Sequence, residues 1–209
     1  MTASQSRALE SLWPEYGIEF SEAPLDFEAI FGRTADVVLE IGFGNGDSFA
    51  EAAADHPEHD YLGIEVHEPG VGHCLIRARD LGVSNLRVIA HDAMDVLRHQ
   101  VAPGSLARIN LFFPDPWPKK RHHKRRIVQA PFLDLAATTL CEGGVLCIAT
   151  DWANYAEHID ETMADRDDFA LDERREHEGD QPLDRHTTKF ETRGLREGHR
   201  IVDWRFIRR

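Results

Sequence analysis

The chain has 209 residues, 42% of them hydrophobic and 9% aromatic, which suits one domain with a sizeable core. No stretch approaches the ~20 apolar residues of a membrane span, and the opening MTASQSRALE lacks the basic and apolar regions of a signal peptide. A cytoplasmic location with no membrane partner is therefore expected. Lys and Arg number 24 against 37 Asp and Glu, for a net charge of −13. Cys74, Cys141 and Cys147 form no CxxC pair and read as thiols of a reducing compartment. His56 and His59 are the closest i,i+3 histidine pair, but Pro57 lies between them and no second pair completes a metal site.

Residues 1–35 contain no strong strand. Residues 4–13 suit a short helix ended by Pro14, and PLDFEAIF (24–31) suits one or two helical turns before Gly32. These residues read as an arm packed on a main domain of residues 36–209. VVLEI (37–41) is an apolar, β-branched run with the character of a central strand buried on both faces. GFGNG follows, then a helix over 47–54. DYLGIEV (60–66) is a second strand. Val71, Cys74, Leu75, Ala78 and Leu81 recur at helical spacing, with Gly82 as the cap. A third strand is predicted over 86–90, a short helix over 94–99 and a fourth strand over 107–113. Pro131 begins a helix running to residue 140, GVLCIAT (144–150) is the fifth strand, and Tyr155, Ile159 and Met163 mark the next helix. The charged segment 166–186 reads as a loop. Residues 201–208 alternate as a half-buried, late antiparallel strand. The alternation predicts an α/β, Rossmann-like fold: a mostly parallel sheet with helices on both faces.

The turn after the first strand reads Glu40-Ile41-Gly42-Phe43-Gly44-Asn45-Gly46. Glycines there permit positive φ and close backbone approach to a ligand. The third glycine comes one residue early for the dinucleotide fingerprint GxGxxG. An acid stands two residues before the first glycine, where it would repel a pyrophosphate. S-adenosylmethionine has no pyrophosphate, and its sulfonium and ammonium favour nearby carboxylates. Glu65, 19 residues after Gly46, stands where an acid hydrogen-bonds ribose hydroxyls. Asp92 ends the third strand, where it would meet the adenine amine or serve only as a helix N-cap. With Asp115, four acids stand at the ends of strands one to four. S-adenosylmethionine is the expected cofactor and NAD the disfavoured one; no metal is expected.

The fourth strand runs into Pro114-Asp115-Pro116-Trp117-Pro118, whose prolines forbid helix and ladder alike. Lys119, Lys120, Arg121, Lys124, Arg125 and Arg126 follow, with His122 and His123 between them. Without these six cations the rest carries 18 basic residues against 37 acidic ones, so the patch reads as a directed anion site. Trp117 suits either stacking on a base or packing.

VVLEIGFGNG, GIEVH, HDA, LFFPDPWPKKRHHKRR, ATD and TKFETRG together resemble the bacterial tRNA (guanine-N7-)-methyltransferases, and ALESLWPEYGIEF and PLDFEAIFGR resemble that family's N-terminal arm. The resemblance covers nearly the whole chain, though only Arg7 precedes ALESLWP, where family members often carry further basic residues. It implies the class I methyltransferase fold, S-adenosylmethionine as donor with S-adenosylhomocysteine as product, and a guanosine of the tRNA variable loop as acceptor. It also implies cofactor contacts from Glu40, Glu65, Asp92 and Asp115, beside the glycines Gly42, Gly44 and Gly46, and a catalytic role for Asp115. Substrate contacts are implied for Lys119, Asp151, Thr188, Lys189, Phe190 and Glu191, and RNA contacts for Arg121, His122, His123, Lys124, Arg125 and Arg126. A monomer is expected, with a homodimer as the alternative.

Guanine N7 carries a lone pair and no proton, so no strong base is needed and alignment dominates. A carboxylate near the cationic product stabilises the transition state, and an Asp accepts hydrogen bonds from guanine N1–H and the 2-amino group. Asp115 and Asp151 are both candidates for these tasks. The rival readings are a methyltransferase of base amines, which the missing second proline of its loop and the TKFE segment disfavour; an RNA-binding module without activity; and an oxidoreductase, which the glycine spacing disfavours.

Overall fold

β1 (Val37–Ile41) lies at the middle of the sheet because its five residues are buried on both faces. Val37, Leu39 and Ile41 enter one core and Val38 the other, as a period of two requires. In this computed structural model, which describes residues 1–179 and 182–209, β1 pairs in parallel with β2 (Asp60–Ile64) and β4 (Leu106–Phe112). β2 pairs in parallel with β3 (Leu86–Ile89), and β4 with β5 (Leu140–Thr150). β7 (Ile201–Arg208) runs antiparallel between β5 and β6 (Phe169–His177), which gives the order β3-β2-β1-β4-β5-β7-β6. The expected mostly parallel sheet with a late antiparallel strand is what forms.

Successive strands step outward from β1 to β3, then the chain returns to β4 on the other side. The crevice beyond the carboxyl ends of β1 and β4 is thus the topological switch point, where open α/β sheets bind ligands. α3 (Asp47–Asp55) and α4 (Glu68–Leu81) cover one face, and α1 (Ala3–Tyr16) packs on α4. α5 (Ala93–His99), α6 (Ala130–Thr139) and α7 (Ala153–Ala164) fill the core on the other face with Val96, Leu97, Phe132, Leu133 and Ile159. α2 (Phe27–Phe31) is capped by Asp26 and ended by left-handed Gly32. Among the described residues no helix is long and apolar enough to cross a membrane.

Two local expectations change, and one helix is added. α1 does not stop at Pro14: it runs to Tyr16. The proline falls in the last turn, where it removes one hydrogen bond. The Gly17 N–H closes onto Trp13 O at 2.7 Å, and buried Tyr16 donates its hydroxyl to Val83 O at 3.2 Å. The segment 166–186 is not a loop throughout, because β6 occupies much of it; Asp180 and Gln181 lie outside the described residues. β6 lacks apolar alternation because it is an edge strand held by cross-strand charges, such as Arg205 with Asp172 at 2.5 Å and Glu173 at 3.4 Å. Finally, α8 (Lys189–Arg196) forms behind a Thr188–Glu191 capping box.

Candidate active site

β1 ends in a turn that only glycine makes without strain. Gly42, Gly44 and Gly46 have φ of 72°, 63° and 74°. A side chain on Gly42 would meet open space, but one on Gly44 would come within 3.2 Å of the Phe190 ring. Gly46 serves packing instead: it is buried at the start of α3, and a Cβ there would lie 2.4 Å from Cys74 Cβ. Gly46 itself lines neither of the two clefts described below. The turn is held from β2 by Glu65, whose carboxylate accepts the N–H of Gly44 at 2.9 Å, Val66 at 2.8 Å and His67 at 2.9 Å.

β4 supplies the facing wall. After Phe112 the chain turns sharply, with Phe113 and Trp117 at φ of 51° and 45°, a left-handed conformation that costs a non-glycine residue ~1–3 kcal/mol. Asp115 stands exposed between them. Two arginines fix this strained loop. Arg126 is buried, with Nε donating to Pro116 O at 2.9 Å, Nη2 to Asn154 Oδ1 at 2.9 Å, and its guanidinium 4.7 Å over the Tyr155 ring. Arg185 lies over Phe112 and Phe113 at 5.5 and 5.2 Å.

Between the walls lies a cleft of about 600 Å³ that brings together Gly42, Gly44, Glu65, Asp92, Asp115 and Phe190. Asp92 caps α5 with one oxygen, accepting from Met94 N at 2.8 Å and Asp95 N at 3.3 Å. The N-cap role is thus in place, and the residue also lines the cleft. Trp117 is a further wall, held edge-on by His122 and covered by the Arg125 guanidinium at 4.9 Å.

Glu40 is not in that cleft. It lines an adjoining one of about 230 Å³, with Asn45, Thr188 and Lys189, which shares Gly42, Phe112 and Phe190 with the first. Burial pushes its carboxyl up to about 7, offset in part by an Asn110 hydrogen bond and the charges of Arg108 and Arg185. Phe190, half exposed, stands where the two clefts meet.

Other expected site residues fall elsewhere. Asp151 stands outside both clefts, hydrogen-bonded to His199 Nδ1 at 3.0 Å and pressed beneath α8, where a Cβ on Gly194 would come within 2.4 Å of its oxygen. Glu191, expected to contact substrate, is fully buried: it accepts from Arg185 Nη1 at 2.5 Å and closes the capping box. Arg126, expected to contact RNA, is buried and anchors the loop instead of standing exposed with its neighbours. In the 3-10 helix Lys120–Arg125, the side chains of Arg121, Lys124 and Arg125 are exposed and those of His122 and His123 half-buried. Lys119 is exposed at its start.

Sequence reasoning missed Arg185, His67 and His91. The Thr188…Glu191 spacing could have located α8, and with it the need for a cation opposite Glu191. His91 lines the large cleft and stacks on Phe20 of the arm at 3.8 Å; nothing in the local sequence pattern announces that contact.

The family model described as "Putative methyltransferase" matches residues 34–204. A tRNA (guanine-N(7)-)-methyltransferase of Shewanella sp. (strain W3-18-1) is 52% identical over 208 residues, covering 100% of this chain and 87% of the relative. One from Alkalilimnicola ehrlichii is 51% identical over 214 residues, covering 100% and 89%. Among solved structures, a 30S ribosomal A1408 methyltransferase from an uncultured bacterium aligns with a TM-score of 0.60 at 12% identity, over 88% of this chain and 95% of that one, a likeness of fold. With half of all positions identical from end to end, the chain belongs to the tRNA (guanine-N7-)-methyltransferase family.

Proposed function

We propose that this chain transfers the methyl group of S-adenosylmethionine to N7 of a guanosine in the tRNA variable loop, leaving S-adenosylhomocysteine. The observation that carries the reading is the pair of joined clefts at the switch point, one walled by Glu65, Asp92 and Asp115 and the other by Glu40. The residues fit the cofactor. Glu65 is already ordered by three backbone N–H groups and faces the large cleft, where ribose hydroxyls would meet it. The Asp92 oxygen not used by the cap would take the adenine amine. Glu40 is a buried carboxyl held near neutrality, which an ammonium group would ionise and satisfy.

S-adenosylmethionine supplies an electrophilic methyl on a sulfonium, and the protein's work is to bring an in-plane lone pair into line with it. Guanine N7 has no proton to lose, so the site needs no general base. Asp115, exposed in the large cleft on a loop that two arginines and three prolines hold rigid, stabilises the purine as it becomes cationic. Trp117, fixed by Arg125 and His122, offers an aromatic wall for the base. Lys119, Arg121, Lys124 and Arg125 lie beside the cleft and hold RNA phosphates. The arm of residues 1–35 is a support of the methyltransferase domain of residues 36–209, working as one unit in the cytoplasm. Asp115→Ala tests the reading: a folded protein by circular dichroism with at least ~100-fold slower formation of N7-methylguanosine supports it. Near-normal turnover removes Asp115 from the chemistry.

A further inference from the structure

Each turn of α8 presents a cation outward. Lys189, Arg193 and Arg196 stand at i, i+4 and i+7, all exposed, while Glu191 and Gly194 face inward and are buried. The three cations span about 10 Å of helix. Arg193 pairs with Glu197 at 3.0 Å, but Lys189 and Arg196 have no carboxylate partner among the described residues. In a chain of net charge −13, whose other arginines are largely matched to acids, they share that condition with the cations of segment 119–125. The helix is also tied to the cleft. Phe190, in its first turn, lines the same cavity as Asp115 and Arg125. One bank of the cleft is therefore the 3-10 helix over Lys120–Arg125 and the other is the start of α8.

We propose that the outer face of α8 is a second RNA-contacting surface, which holds phosphates on the bank opposite the Lys120–Arg125 segment so that the RNA strand lies across the cleft. This rests on the reading of the chain as a tRNA methyltransferase. The capping box and the Arg185–Glu191 pair give the surface its rigidity. A phosphate backbone is the partner that fits, because the face offers three cations at helical spacing and no exposed large apolar side chain besides Phe190 at its cleft end.

The test uses the full-length R193Q/R196Q variant, with R193K/R196K as the charge-preserving control and thermal melting to confirm the fold. Binding of bulk tRNA is titrated at several salt concentrations. Each phosphate left without its cation takes roughly one unit from the slope of log K against log salt, so the Gln variant should fall by about two and bind several-fold more weakly at low salt. The Lys variant should keep the wild-type slope. Affinity for S-adenosylmethionine should not change in either. Coincident slopes for wild type and R193Q/R196Q overturn the proposal, as does an equal loss of slope in the Lys variant, which would make helix geometry rather than charge the cause. Wild-type N7-methylguanosine formation is measured alongside. If wild type methylates tRNA and the slopes coincide, only the second surface fails; if wild type forms no N7-methylguanosine, the functional reading itself fails.

Discussion

Arg185 and Asp203 face each other in the interior, Nε to Oδ1 at 2.9 Å, and each side chain is 2% exposed. The same guanidinium reaches Glu191, so one cation holds the sheet, α8 and, through Phe112 and Phe113, the loop of Asp115. Arg185→Leu leaves two buried carboxylates without their cation. It should cost about 3–5 kcal/mol of stability, read by urea unfolding. A loss below about 1 kcal/mol would show that the interior relaxes enough to hydrate them.

Glu40 makes stability depend on pH. Its folded value of about 7 lies above the ordinary 4.5. Between those values the folded chain keeps a proton the unfolded chain has lost, so stability falls as pH rises through that window. The span corresponds to about 3 kcal/mol. Glu40→Gln should match wild type near pH 4 and be the more stable protein at pH 8 without cofactor. It should also bind S-adenosylmethionine more weakly at pH 8, as calorimetry would record. Equal cofactor affinity would take Glu40 out of the binding site.

Adjacent Arg125 and Arg126 should behave oppositely. Arg126→Ala removes the anchors to Pro116 and Asn154 and should lower stability by about 2 kcal/mol. The salt slope of tRNA binding should stay as it was. Arg125→Ala should leave stability nearly intact and reduce that slope by about one. A reversed pattern would mean that Arg126 turns outward to meet RNA.

Two glycines of the turn after β1 separate conformation from crowding. Gly42→Ala adds only the left-handed penalty of about 1–2 kcal/mol, since its Cβ meets open space. Gly46→Ala adds a collision with Cys74 and should cost at least ~1 kcal/mol more. Equal denaturation midpoints would mean that α4 yields to the new methyl group.

β1 to β5 are legible in the sequence because each carries an apolar run closed within three residues by glycine, proline or acid, as a largely buried parallel strand must read. β6 is not, since an edge strand with an exposed, charged side has no apolar period to detect. Glu65, Asp92 and Asp115 converge in one cleft because each follows a strand with the same direction. Glu40 precedes the end of its strand by one residue, and alternation turns it toward the neighbouring cleft. Glu191 and Arg126 have the composition of surface residues, and only long-range packing shows that they face inward.

The two borders of the sheet bear on how the protein behaves at high concentration. At one border β3 is only four residues long, and the arm covers it: Ile18 N donates to Val88 O at 2.8 Å. At the other, β6 is nine residues long, and Asp172, Arg174 and Glu176 stand exposed along it beside Leu171. A strand from another molecule would have to match or desolvate those charged side chains to extend the ladder. Both borders thus resist strand addition, one by a cover and one by charge, and removing the arm should turn β3 into a site of self-association.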